Sequence, residues 1–522
     1  MVFKNYQYSG GDDPRVPIVT ADLSGGVNTR IAPNAIKANQ AQKLKNVDIT
    51  IPGKRRKIKG SMNFGGEIEA GETVTALQDF SIQGGTDQLL AFLNNKIYKS
   101  ESEGTFEIVL SGSYFTDTPG ITFGKQSGIS PDDVLLAGDG TNNCVIVDSA
   151  GGISDMGDTN TSPPITDVFT WYGNRFWALA DGLFSFSDAY AADYSVAWDR
   201  ISNRYRIPVG EERGLLATRD MGIVVMGKNA IWALAPSAVP VATDQPQPLL
   251  TNLGVVSKNA FAAVGDDIMF FSQDGLRALK RTVQDKLQMG ASFPISYMLK
   301  DEFDEINWDY IDRLSMKYFD NKLFISVPIS ATKMKTWVYV PATGGFFMME
   351  DVHPRCWATY KISGEERIAY GSHEDGKVHR AWYGYTWEGT TTTNGTKIDM
   401  EEILRADNAG SPLMNKEGGS IEIRLNATGD YDVNVYAQFD NAGWNLLGAV
   451  NLKGNLLDLS APVTFPVSFY EQNIASGKFP IYSYGQWREL EIKTIQDTTN
   501  GDDEIEILQT SIVTTVKPYI DI

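Results

Sequence analysis

Phe176-Trp177-Ala178-Leu179-Ala180-Asp181-Gly182-Leu183-Phe184-Ser185-Phe186 reads as two apolar strands joined by a two-residue turn. Asp-Gly supplies the positive φ values that a tight hairpin needs. The same unit recurs along the chain. Leu89–Leu93 turns at Asn94-Asn95 into Lys96–Tyr98, and Val134–Ala137 turns around Asp139-Gly140 into Val145–Val147. Ile223–Met226 turns at Lys228-Asn229 into Ile231–Leu234, and Ile268–Phe271 turns at Asp274-Gly275 into Leu276–Leu279. Leu323–Val327 passes a longer loop into Trp337–Val340, and Ile368–Tyr370 turns at Asp375-Gly376 into Lys377–His379. The first strands begin near 89, 134, 176, 223, 268, 323 and 368, a spacing of 42 to 55 residues. A propeller blade takes about 40–50 residues. The expected fold is therefore all-β, with residues 67–385 forming a six- or seven-bladed β-propeller. A series of β-sandwiches with the same spacing is the alternative.

The chain outside the repeats divides in two. Thr390-Thr391-Thr392-Thr393-Asn394-Gly395 is a polar break. Beyond it, Ile421, Ile423 and Leu425, then Val433, Val435, Ala437 and Phe439, alternate strictly. Trp487–Ile495 and Glu504–Val516 read as two more long strands. Strands with one apolar face must pack sheet on sheet, so 396–522 is expected to be a β-sandwich. Residues 1–66 form an N-terminal arm and docking segment. Its first twenty residues carry little core, and a helix is expected over Pro33–Asn46. A second short helix is expected over Pro294–Phe303.

Composition narrows the function classes. The chain of 522 residues has 46 Lys and Arg against 65 Asp and Glu, a net charge of −19. Phosphate contacts come mainly from Lys and Arg, so a nucleic-acid-coating role is disfavoured, as is docking on an anionic membrane. Two cysteines, Cys144 and Cys356, cannot build a disulfide framework or a four-cysteine zinc site. No run of about 18 apolar residues suggests a transmembrane helix, and Met1–Tyr8 lacks a secretory h-region. No membrane anchor is expected, and synthesis in a cytoplasm is.

The N-terminal block carries a resemblance. Gly25-Gly26-Val27-Asn28 is followed by a Pro-led segment, Pro33 to Gln42, then Asn46-Val47-Asp48, then the basic strand Arg55-Arg56-Lys57 running on to Gly60. This order resembles the opening of virion proteins from tailed bacteriophages, of the propeller-containing tail-nozzle and head-completion type. A Trp487-Arg488-Glu489-Leu490-Glu491-Ile492 strand in a C-terminal sandwich adds to the likeness. The resemblance implies a structural protein of the virion, in the tail or head–tail junction. It implies a homo-oligomeric ring, expected to be sixfold, contacting portal, adaptor or tail proteins while genome DNA passes nearby without specific binding. It implies interaction roles for Gly25, Gly26, Asn28, Asn46, Asp48, Arg55, Arg56 and Lys57. The basic strand would meet an acidic neighbouring subunit.

Chemistry-bearing clusters are sparse. Asp301-Glu302-Phe303-Asp304-Glu305 reads as a solvated loop after a short helix, with no calcium-loop pattern around it. In the hairpin 373–379, His373 is expected opposite Val378 and His379 opposite Ser372, a poor chelating geometry. His353 and Cys356 lack the local pattern of a nucleophile pair, and Cys356 reads as a buried thiol. No phosphate loop, Gly-x-Ser-x-Gly elbow or His-Glu-x-x-His occurs. The expectation is therefore no enzyme, no cofactor and no metal. The rival expectation is a carbohydrate-binding or carbohydrate-cleaving propeller, a receptor-binding tail protein, whose central pocket would hold clustered carboxylates and exposed aromatics.

Overall fold

The computed structural model describes residues 15–80, 86–110, 114–125, 133–148, 152–237, 240, 244–290, 292–388, 395–410, 412–426, 432–452, 474–496 and 504–516. Two compact units emerge. One gathers 59–339 and 349–396; the other gathers 1–58, 340–348 and 397–522.

The first unit is a β-propeller. All seven hairpins read from the sequence are present. Six blades are sheets of their own. Four of these are four-stranded meanders over 76–110, 120–155, 169–206 and 212–251. A three-stranded blade spans 261–278. The sixth sheet joins Pro354–Ile362, Glu365–Ser372 and Val378–Ala381 to Ser61–Asn63. A further meander, Ser315–Phe319, Lys322–Pro328 and Met334–Val340, lies between the last two in sequence.

Packing explains why the hairpin strands are apolar throughout. Asp133–Gly138 and Gly222–Gly227 are buried at every residue, because neighbouring blades cover both faces. Phe80, Leu90 and Phe92 pack with Leu135 and Ala137 of the next blade. Val134 and Leu136 pack with Phe176 and Ala178, and Trp177 and Leu179 with Ile223 and Val225. Leu77 and Leu89 of the first blade share a core with Cys356, Ala358 and Ala369 of the last, which closes the ring. Each fully buried Leu, Ile or Phe contributes about 1.5–3 kcal/mol.

The turns are held locally. Asn94 and Asn95, and Asp181 and Gly182, take positive φ as expected. The turn around Asp139 is caged by its carboxylate, which accepts the N–H groups of Thr116, Thr141 and Asn142 at 2.7–2.9 Å. Two expected turns are corrected. Ser272 pairs with Gly275, so the turn residues are Gln273 and Asp274, one step earlier. Gly371 pairs with Val378 and Tyr370 with His379, which shifts the last hairpin by two residues from the expected register.

The second unit is a sandwich of two sheets. Within it, one sheet runs in the order Val47–Asp48, Arg55–Lys57, Glu506–Val516, Lys416–Asn426, Ile474–Pro480. The other includes Ala41–Lys45, Glu401–Leu404, Leu490–Gln496, Asp432–Phe439 and Trp444–Asn451 in that order. Ile421, Ile423, Leu425, Val433, Val435 and Ala437 are buried, on the alternation expected.

The N-terminal segment is not a separate arm. Arg15–Thr20 pairs antiparallel with 510–515 of the sandwich. The helix expected over Pro33–Asn46 is a single 3-10 turn at Pro33–Ala35, and Ala41–Lys45 is a strand paired with 401–404. Good helix formers yield here to sheet pairing. Residues 61–63 belong to the propeller, so the boundary expected after 66 falls at 58. The helix over Leu279–Met289 went unread in the sequence, and the one expected over Pro294–Phe303 is a 3-10 turn, Ile295–Leu299, running into Lys300–Phe303.

Candidate functional site

The residues singled out by the N-terminal resemblance all lie in the sandwich unit, where they build its frame. Gly25 donates its N–H to Asn39 O at 2.9 Å. Gly26 has φ +72°, and a Cβ there would stand 2.2 Å from Phe346 N. Only glycine lets the two backbones approach so closely. The Asn28 amide donates to Gln40 Oε1 at 3.0 Å. Asn46 takes positive φ, and its side-chain amide donates to Asp399 O at 2.8 Å. Asp48 accepts the Thr50 N–H at 2.9 Å.

The basic strand finds its acids in the same chain. Arg55 and Glu402 are both fully buried and meet at 2.9 Å. Arg55 also donates to Thr510 Oγ1 at 3.2 Å. Cross-strand pairing sets Arg56 beside Glu506, at 3.2 Å, with Glu504 at 3.7 Å. Lys57 is buried, and its N–H donates to Ile505 O at 2.8 Å. The expected clamp onto an acidic neighbouring subunit is corrected: the acidic neighbour is the sandwich's own strand 506–516 and its own Glu402.

The acidic run, His379 and the two cysteines take their places within the fold. Glu302 and Glu305 both pair with Lys335. His379 is buried and stacks on Tyr370 with ring centres 4.8 Å apart; burial pushes its pKa down to about 4. Cys144 and Cys356 are buried, and burial pushes both thiols up to about 12. Among the described residues no group of three or more His, Cys, Asp or Glu is placed to hold a metal ion. Among the described residues no helix is long and apolar enough to cross a membrane.

The propeller unit holds a cavity of 640 Å³ that the sequence did not reveal. Its wall takes residues from the start of the first strand of each blade: Ala76, Gly120, Phe169, Arg213, Phe261 and Arg355, with Asp309–Arg313 just before Ser315–Phe319. It therefore lies on the propeller axis, at the end where the inner strands begin. Five carboxylates line it (Asp117, Asp167, Glu211, Asp309, Asp312) and four cations (Arg213, Lys258, Arg313, Arg355). A near balance of charge is thus confined to one mouth.

Three of the cations are engaged. Arg213 pairs with Glu211 at 2.7 Å and Asp312 at 3.3 Å. Lys258 pairs with Asp167. Arg313 donates to Ala331 O at 2.6 Å and lies over the Tyr310 ring, 4.5 Å from its centre. A hydrogen bond from Lys228 holds the Glu211 carboxyl below its ordinary range. The backbone aims two of the arginines. The pairing between Glu212–Thr218 and Gly222–Gly227 slips between Glu212 and Gly214, which makes Arg213 the extra residue of a β-bulge. The pairing between Pro354–Ile362 and Glu365–Ser372 slips between Pro354 and Cys356, which does the same for Arg355. Bulges re-aim side chains.

No protein-family model matches the chain, and no curated protein matches it. Solved structures do. The extracellular domain of a hybrid two-component system from B. thetaiotaomicron matches at 10% identity and TM-score 0.37, over 60% of this chain and 40% of that one. PorZ, a surface component of the type-IX secretion system of Porphyromonas gingivalis, matches at 12% and 0.34, over 69% and 44%. This chain thus spans less than half the length of either. An exo-β-1,3-galactanase from Phanerochaete chrysosporium matches at 8% and 0.27, over 95% and 100%. That match corrects the expectation of a chain that is no enzyme: a catalyst stands among the similar structures, so absence of catalysis does not follow from the architecture. At such identity it lends this chain neither an activity nor residues.

Proposed function

We propose that the chain is a structural subunit of a tailed-phage virion, forming a homo-oligomeric ring in the tail or head–tail junction. The supporting observation is the use made of the N-terminal block. The eight residues given interaction roles by the resemblance all lie in the sandwich unit, from the Gly26 approach to the Arg55–Glu402 pair. The block is part of the fold and not an appended tail, which supports reading the likeness as one of architecture. Closed blades leave few free sheet edges, which suits a rigid module in an assembly. The axial cavity of 640 Å³ is a small-molecule volume and no duplex channel. Genome DNA would pass through the ring of subunits, where the −19 charge of each chain would keep phosphates from sticking. Portal, adaptor and tail proteins would be the neighbours. Mass spectrometry of purified particles tests this: several copies per particle are expected, and absence from the particle refutes it.

A second reading, a carbohydrate-binding or receptor-binding propeller, is favoured by the axial cavity, where Phe261 and Tyr310 stand among carboxylates. Aromatic faces beside hydrogen-bonding acids are what a sugar requires. Glycan-array binding by the full chain tests it.

A further inference from the structure

We infer that the axial cavity of the propeller binds a hydroxylated monocarboxylate of the uronic-acid class, anchored by Arg355. The inference deepens the saccharide reading and is independent of the ring.

Arg355 is the cation in the cavity left without an ion pair or hydrogen bond among the described residues, while Arg213, Lys258 and Arg313 are all engaged. Arg355 is half-buried, and burial holds its pKa below the usual range, with the like charge of Arg313 adding to the effect and Asp117 opposing it. Its donor nitrogens reach solvent and are open to a ligand. Yet the fold turns it inward by a bulge, at the start of an inner strand, as it turns Arg213. The two bulged arginines differ in one respect: Arg213 is ion-paired with Glu211 and Asp312, while Arg355 feels the charge of Asp117 without a direct ion pair among the described residues. Arg355 also lines an adjoining cavity of 280 Å³, so it borders both spaces. A planar five-donor fork facing open volume matches a carboxylate bidentately.

The rest of the lining sets the class. Asp117 and Asp309 line the same mouth and form no ion pair among the described residues. Asp117 lies in the field of Arg355, but neither carboxylate is held in an ion pair among the described residues, and the two together repel a dianion or polyanion, which disfavours phosphate esters and nucleic acid. They accept hydrogen bonds from hydroxyl groups, which favours a polyol body. Phe261 supplies an apolar face, with the Tyr310 ring beside it carrying Arg313 on one side. One carboxylate, several hydroxyls and a hydrophobic ring face describe a uronic acid.

Calorimetric titration of the full chain with D-glucuronate, D-galacturonate and their disaccharides tests this, with D-glucose as neutral control and glucose 6-phosphate as dianion. A uronate is expected to bind, with glucose weaker by about tenfold or more. Arg355→Gln is expected to weaken uronate binding by about tenfold or more while leaving thermal unfolding unchanged, and Arg355→Lys to retain part of it. If Arg355→Gln fails to fold, the lysine variant and the glucose comparison still decide. Equal binding of glucose and uronate, or tighter binding of the phosphate ester, overturns the anion assignment and leaves the saccharide reading standing. No binding of any saccharide at about 10 mM overturns both.

Discussion

Arg55→Met isolates the most buried charge pair of the sandwich. Arg55 and Glu402 are both at 0% exposure and meet at 2.9 Å. Methionine replaces most of the arginine stem, so the cavity term stays small, and what remains is a carboxylate buried without its cation. Breaking such a pair from one side costs about 3–5 kcal/mol. The lost bond to Thr510 adds about 1 kcal/mol. Burial already raises the Glu402 pKa above its ordinary value, with Arg55 opposing. Removing Arg55 raises it further, so the variant's folded state binds a proton more readily than its unfolded state. The deficit is therefore full near about pH 7.5 and shrinks as Glu402 protonates toward about pH 5. Hydrogen exchange of strands 401–404 and 506–516 across a denaturant series reads the loss. The double variant Arg55→Met, Glu402→Leu is expected to recover most of it, since an apolar pair replaces the ions. A deficit under about 1 kcal/mol, or one that is the same at both pH values, refutes the reasoning.

Gly26→Ala is expected to destabilise the sandwich by about 2–4 kcal/mol, from the close Phe346 backbone and the positive φ, read as a lowered melting transition. Cys144 and Cys356 should resist Ellman's reagent at neutral pH in the native chain and react fully on denaturation, because both thiols are buried and titrate near about 12. His379 is neutral when folded; its pKa of about 4 lies below the unfolded 6.5, so the propeller loses stability as pH falls through that interval, by about 3 kcal/mol in full. His379→Phe, which keeps a ring against Tyr370, should flatten that acid limb in denaturant titrations.

The propeller was legible because its signal is local and repeated. The hairpins carry their apolar strands close together in the sequence, most of them around an Asn-, Asp- or Gly-bearing turn, and seven copies fix the period. The N-terminal segment misled because its partners are distant. Ala41–Lys45 looks helical by composition, but pairing with 401–404 decides its state. Arg55–Lys57 looks like a surface patch until Glu402 and Glu506 arrive from far along the chain. Arg355 left no trace at all in the sequence. Pro354-Arg355-Cys356 matches no motif, and its inward aim comes from a register slip that only the folded pairing creates.

The division of the chain has a consequence for synthesis. The sandwich is drawn from 1–58, 340–348 and 397–522, with nearly the whole propeller in between. A ribosome therefore releases the early sandwich strands hundreds of residues before their partners. Strand 55–57 must wait for 506–516, and the buried Arg55 must wait for Glu402. Ser61–Asn63 waits likewise for Val378–Ala381 to complete its blade. Contacts of such sequence separation form slowly. The inserted blades consequently assemble first, and the unpaired early strands are the segment that most needs a chaperone on the nascent chain.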